Sequence, residues 1–138
     1  MACPVPDDTA VARSLMRYEE AHGDPAPAIY TRFYAAHPDA EELFAGDALI
    51  PRRMMSSIFG ILIDLADGTL SPGNSTSWVM DHIAYEVTRP MIETMFGVIV
   101  DEIRSGLGEQ WSPAMESQWA EVIAQWADAA LATYDADV

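Results

Sequence analysis

Residues 29–44 read IYTRFYAAHPDAEELF, and this stretch decides the fold. Its first half places Ile29, Tyr30, Phe33 and Tyr34 at helical spacing, so one apolar stripe faces inward. Pro38 then stops the helix, because a proline in a helix interior costs about 3 kcal/mol. The segment Asp39–Phe44 reads as one short helical turn, and it returns an aromatic side chain, Phe44, six residues after the proline. A chain that spends a corner in this way holds Phe44 against something.

Working outward, the same punctuation recurs. Helices are separated by Asp, Ser, Gly and Pro, and strand signals are nearly absent. The first helix is expected from Asp8 or Thr9 to about His22, with Val11, Leu15 and Tyr18 on its apolar face and Gly23 as its stop. Asp24-Pro25 caps the second helix, which runs to about Ala36. After a loop at 45–47, a third helix spans roughly Ala48–Ala66, with Pro51 tolerated near its start. DGTLSPGNSTS (67–77) carries turn chemistry, and a short helix is expected over about Ser77–Glu86. Thr88 and Pro90 open the next helix, which runs to about Arg104, with Gly106 and Gly108 stopping it. Ser112-Pro113 opens the last, with Met115, Trp119, Val122, Ile123, Trp126, Ala130 and Tyr134 on one face. The short turn between these two C-terminal helices predicts that they pack antiparallel.

Composition narrows the function classes. The 138 residues suit one domain, read as a flexible tail at 1–8 and a helical domain at 9–138. The formal net charge is −15, there is no lysine, and all seven basic residues are arginine. Such a surface repels phosphate backbones and anionic lipid, so no nucleic acid and no membrane surface is expected as a partner. Cys3 is the single cysteine, which leaves no internal disulfide and no cysteine metal pair. No secretory signal opens the chain, and the longest apolar stretch, Ile58–Leu65, is too short to span a bilayer. A cytoplasmic location is the default expectation.

No phosphate loop, HExxH, cysteine cluster or GxSxG occurs. His82 stands out instead, in SWVMDHIAYEV, on a segment whose apolar face includes Trp78, Val79 and Tyr85. A neutral imidazole on an apolar helix face is a competent axial ligand for haem iron. Taken alone, the same residue is more often a core histidine bonded to a carbonyl.

Together these pieces resemble a globin. IYTRFYAAHPDAEELF is similar to the second helix and corner of that family, and DHIAYEV is similar to its proximal segment. The likeness covers Asp8 to Tyr134 and is greatest to bacterial single-domain globins and the haem domain of flavohaemoglobins. There the residue eight before the corner proline is commonly tyrosine, here Tyr30. The resemblance implies an all-α, globin-like fold of six to eight helices and haem b (iron protoporphyrin IX) as cofactor. It assigns His82 as the metal ligand and Phe44 as the aromatic wedge on the porphyrin. Tyr30 becomes the hydrogen-bond donor to bound gas, with Met54 and Ile58 beside it; in an alternative register one turn away, Ile50 and Met54 form that pair. Val79 and Val87 complete the apolar lining near His82. Arg52, Arg53 and Arg89 are candidates for the propionates, although such arginines are more often solvated surface charges.

The implied function is reversible binding of a diatomic gas, dioxygen foremost or nitric oxide, by a monomer or homodimer. Nitric oxide dioxygenase-type or peroxidase-like turnover would need a separate reductase, since no flavin or nicotinamide domain follows in this chain. In flavohaemoglobins a Tyr and a Glu strengthen the proximal histidine. Those positions fall here near Arg89 or Ile92 and near Tyr134, and neither residue type is matched. The alternative function, of a different class, is a haem-free globin-fold module for regulation or protein interaction.

Overall fold

The computed structural model describes residues 9–44, 49–71 and 88–136, with the side chains at 43, 44 and 133–136 left aside. Five α-helices lie among these residues: α1 (Ala10–His22), α2 (Ala26–Ala36), α3 (Leu49–Asp67), α4 (Arg89–Leu107) and α5 (Pro113–Ala136). Two 3-10 segments, Pro38–Phe44 and Gly108–Gln110, complete them, and no strand occurs among the described residues. The described residues are therefore all-α, with five α-helices among them where six to eight were expected for the chain. The expected helix at 77–86 lies outside the described residues, and the short helical turn expected after Pro38 is a 3-10 helix, Pro38–Phe44.

Local chemistry sets the boundaries. Thr9 Oγ1 accepts the Ala12 N–H at 3.1 Å, and Gly23, with φ 81°, ends α1 where a side chain would be strained. Asp24 Oδ1 accepts the Ala26 N–H at 2.9 Å and opens α2. At His37 the following proline disfavours helical backbone, and the residue takes φ −134° and ψ 76°. Ser112 Oγ accepts the Met115 N–H at 3.2 Å and opens α5.

One boundary needs correction. α4 continues to Leu107, and only Gly108 (φ 52°) stops it. Gly106 is helical, and its missing side chain serves packing: a Cβ there would strike the Tyr18 ring, 2.6 Å from Cδ2. Gly106 is what lets α1 and α4 approach.

α1 packs on α3, α4 and α5; α2 packs on α3 and α4; and α5 packs on α3 and α4. Arg104 reaches Glu116, whereas Phe96 lies 5.0 Å from Trp126, so one chain rises as the other falls. α4 and α5 are antiparallel, as the short turn predicts. The core is centred on Trp119, Trp126, Ile29, Met55, Leu62, Ile99 and Ile103, all fully buried. Its buried serine, Ser14, accepts the Trp119 indole N–H at 2.7 Å. It donates to the Val11 carbonyl at 2.7 Å, so the polar atoms that bind α1 to α5 are satisfied. No described helix is long and apolar enough to cross a membrane.

Candidate functional site

Tyr30 lies on the buried face of α2, 6 % exposed, beside Ile29 and Phe33. Its hydroxyl donates to the Pro51 carbonyl in the first turn of α3 at 2.9 Å. That carbonyl is also the helical acceptor for the N–H four residues on, at Met55, and its two lone pairs accommodate both donors. The Tyr30 ring stacks on Tyr34 with centroids 5.6 Å apart and planes 26° apart. Burial, with the neighbouring Tyr34, pushes the Tyr30 phenol well above its ordinary pKa. It is a proton donor at every physiological pH.

α3 brings its own residues to this point. Met55, Leu62 and Leu65 form its buried stripe, and Met54 and Ile58 flank that stripe, both half-buried. Leu49 and Ile50 stand on the exposed side, 56 % and 44 % accessible. Tyr30 and the opening turns of α3 thus meet, through the Pro51 bond.

The other expected site residues have no described environment. Val79, His82 and Val87 lie outside the described residues, as does the Phe44 side chain, although the 3-10 turn carries its backbone. Of the arginines considered for propionates, Arg52 lies 3.7 Å from Asp24, and Arg89 pairs with Glu93 one turn along α4 at 3.1 Å. Both pairs are solvent-exposed and contribute little. Among the described residues no three His, Cys, Asp or Glu side chains gather to hold a metal ion.

A second polar centre was not legible in the sequence. Tyr18 of α1, 4 % exposed, donates to Glu102 Oε2 of α4 at 2.7 Å. Arg32 of α2 binds the other oxygen, Oε1, through Nε at 2.7 Å, and its Nη2 reaches Ser105 Oγ at 3.4 Å. His22 closes the cluster, its ring 5.0 Å from Tyr18 and its Nε2 2.8 Å from the Gly106 carbonyl oxygen. Burial alone would raise the Glu102 carboxyl, but the hydrogen bonds from Tyr18 and Arg32 and the Arg32 charge hold it below its usual range. Burial, together with the bond to Glu102 and its charge, pushes the Tyr18 phenol up to about 12. The available signal was a tyrosine on an otherwise apolar face, whose hydroxyl needs a partner when buried. Nothing in the sequence says that Glu102, one of 22 acidic residues, is that partner.

No protein-family model matches the chain, and no curated protein matches it significantly.

Proposed function

We propose that the chain is a haem-binding globin that reversibly binds a diatomic gas, dioxygen foremost, with His82 as the iron ligand. The observation that carries this reading is the corner motif joined to a buried tyrosine. Tyr30 stands eight residues before Pro38, and its hydroxyl lies at the opening of α3, where Met54 and Ile58 follow. An all-helical fold with a broken corner after α2 is in keeping with it.

Three of the described residues, Tyr30, Met54 and Ile58, are in keeping with such a group. A porphyrin needs an apolar slot with few polar atoms, and Met54 and Ile58 supply apolar, half-buried surface beside one protonated phenol. His82 would hold the iron, Phe44 would lie on the ring, and Val79 and Val87 would line the proximal side. When bound, the haem supplies reversible coordination of a diatomic gas. The protein's share is exclusion of water by Met54 and Ile58 and donation of the Tyr30 O–H toward the ligand. Such donation to a partly charged acceptor contributes about 1.5–3 kcal/mol. In the present geometry that proton is directed at the Pro51 carbonyl, so the hydroxyl must turn from Pro51 to serve a ligand.

Any redox turnover, such as nitric oxide dioxygenation, would draw electrons from a separate reductase. One observation favours the second reading, a haem-free globin-fold module for regulation or protein interaction: the Tyr30 hydroxyl already has a good acceptor within the protein. Titration with hemin separates the two. The haem reading predicts a strong Soret band at one equivalent and its collapse in His82→Ala. Absence of a Soret band at saturating hemin would leave the haem-free module.

A further inference from the structure

Two tyrosines are buried among the described residues, and their hydroxyls meet different acceptors. The Tyr30 hydroxyl faces an amide carbonyl, which accepts a hydrogen bond but does not take up a proton near neutral pH. The Tyr18 hydroxyl faces a carboxylate at 2.7 Å, a true base. That base is fixed on its second oxygen by Arg32, and its side chain is only 14 % exposed. Gly106 lets the Tyr18 ring sit flush against α4, where bulk solvent does not reach it.

We infer that Tyr18 and Glu102 form a one-electron oxidation site, in which the tyrosine yields an electron to an oxidising radical while its phenolic proton passes to Glu102. The co-reactant is a one-electron oxidant of the peroxyl class. In that step the peroxyl radical gains the electron and becomes a peroxide anion. The Tyr18 O–H bond breaks, an O–H bond forms on Glu102 Oε2, and a neutral tyrosyl radical remains. Charge is conserved, since the carboxylate's negative charge leaves on the peroxide. Without the base, the electron would have to leave a phenol that keeps its proton in a buried place, which puts a cation where water does not solvate it. Arg32 keeps the carboxylate oriented before transfer and, at the protein surface, stays solvated after it. Return of an electron and the Glu102 proton restores the pair. The function is that of an oxidant trap, and it does not depend on haem.

The test uses the purified 138-residue chain. Illuminated tris(bipyridine)ruthenium(II) with persulfate supplies an outer-sphere one-electron oxidant at neutral pH. Freeze-quenched electron paramagnetic resonance reads the tyrosyl radical and its lifetime. A long-lived radical is expected in the parent protein and in Tyr30→Phe, and its loss is expected in Tyr18→Phe. Glu102→Gln keeps the shape but removes the base, and should slow radical formation about a hundredfold. A protein in which Tyr30, Tyr34, Tyr85 and Tyr134 are all phenylalanine should keep the parent signal. A long-lived signal that survives Tyr18→Phe, or formation in Glu102→Gln as fast as in the parent, would overturn the assignment. Should Tyr18→Phe fail to fold, the formation rate in Glu102→Gln decides alone.

Discussion

Tyr30 and Tyr18 are buried to nearly the same extent, yet they do different things to the helices around them. Tyr30 ties α2 to α3 through a neutral carbonyl that already has a helical partner. Tyr18 ties α1 to α4 through a carboxylate that Arg32 also holds, so three helices share one charge-assisted node. The first bond is replaceable: an incoming ligand can take the phenol without orphaning the carbonyl. The second is not, because removing Tyr18 or Arg32 leaves the largely buried Glu102 carboxylate with an incomplete shell. Exchangeable donors suit a ligand site, and fixed networks suit a structural node or a site that moves only a proton and an electron.

The largest effect should come from filling the space that makes the Tyr18 node. Gly106→Val places side-chain atoms inside the Tyr18 ring position and should cost about 3 kcal/mol or more, read as a fall in the urea midpoint. Next, Tyr18→Phe should cost about 2 kcal/mol, since it removes a bond to a charged acceptor. Tyr30→Phe should cost only about 1 kcal/mol, since the Pro51 carbonyl keeps its helical donor. Equal losses from the two tyrosines would break the comparison.

The same node predicts two pH limits. The folded Glu102 carboxyl titrates below its ordinary value, so the unfolded chain binds more protons as pH falls, and stability is lost through the folded pKa at the acid end. Tyr18 is shifted the other way, from 10.0 to about 12, so the unfolded chain loses its proton first and stability falls as pH rises from 10 to 12. In Tyr18→Phe the alkaline loss assigned to this residue should disappear, as read by thermal melts across pH. The smallest effect is expected at Arg52→Ala, within about 0.5 kcal/mol, because its exposed partner Asp24 is 3.7 Å away.

Much of the helical frame was legible because it is written locally. Thr9, Asp24, Thr88 and Ser112 each accept a first-turn N–H, and a cap is read from one residue and its immediate neighbours. Gly106 misled for the same reason. A glycine near a helix end reads as a stop, but here its purpose is set by Tyr18, far away in sequence. The apolar stripe of α5 was equally plain, and Trp119 and Trp126 are in the core as their spacing requires. Tyr30 was placed correctly on the inner face of α2, but its acceptor at Pro51 is a tertiary fact that no spacing encodes. The Tyr18–Glu102–Arg32 node was invisible, since it joins residues from three helices and draws on residue types that are ordinary at a surface.

The measurement that bears most directly on a gas-binding globin is dioxygen dissociation from the hemin-loaded, reduced protein, compared with Tyr30→Phe and Tyr18→Phe. A Soret band should form and shift with dioxygen. The off-rate should rise about tenfold or more in Tyr30→Phe, as loss of a hydrogen bond to a charged acceptor requires, and it should be unchanged in Tyr18→Phe. No Soret band, or an off-rate indifferent to Tyr30, would contradict a ligand site built on that tyrosine.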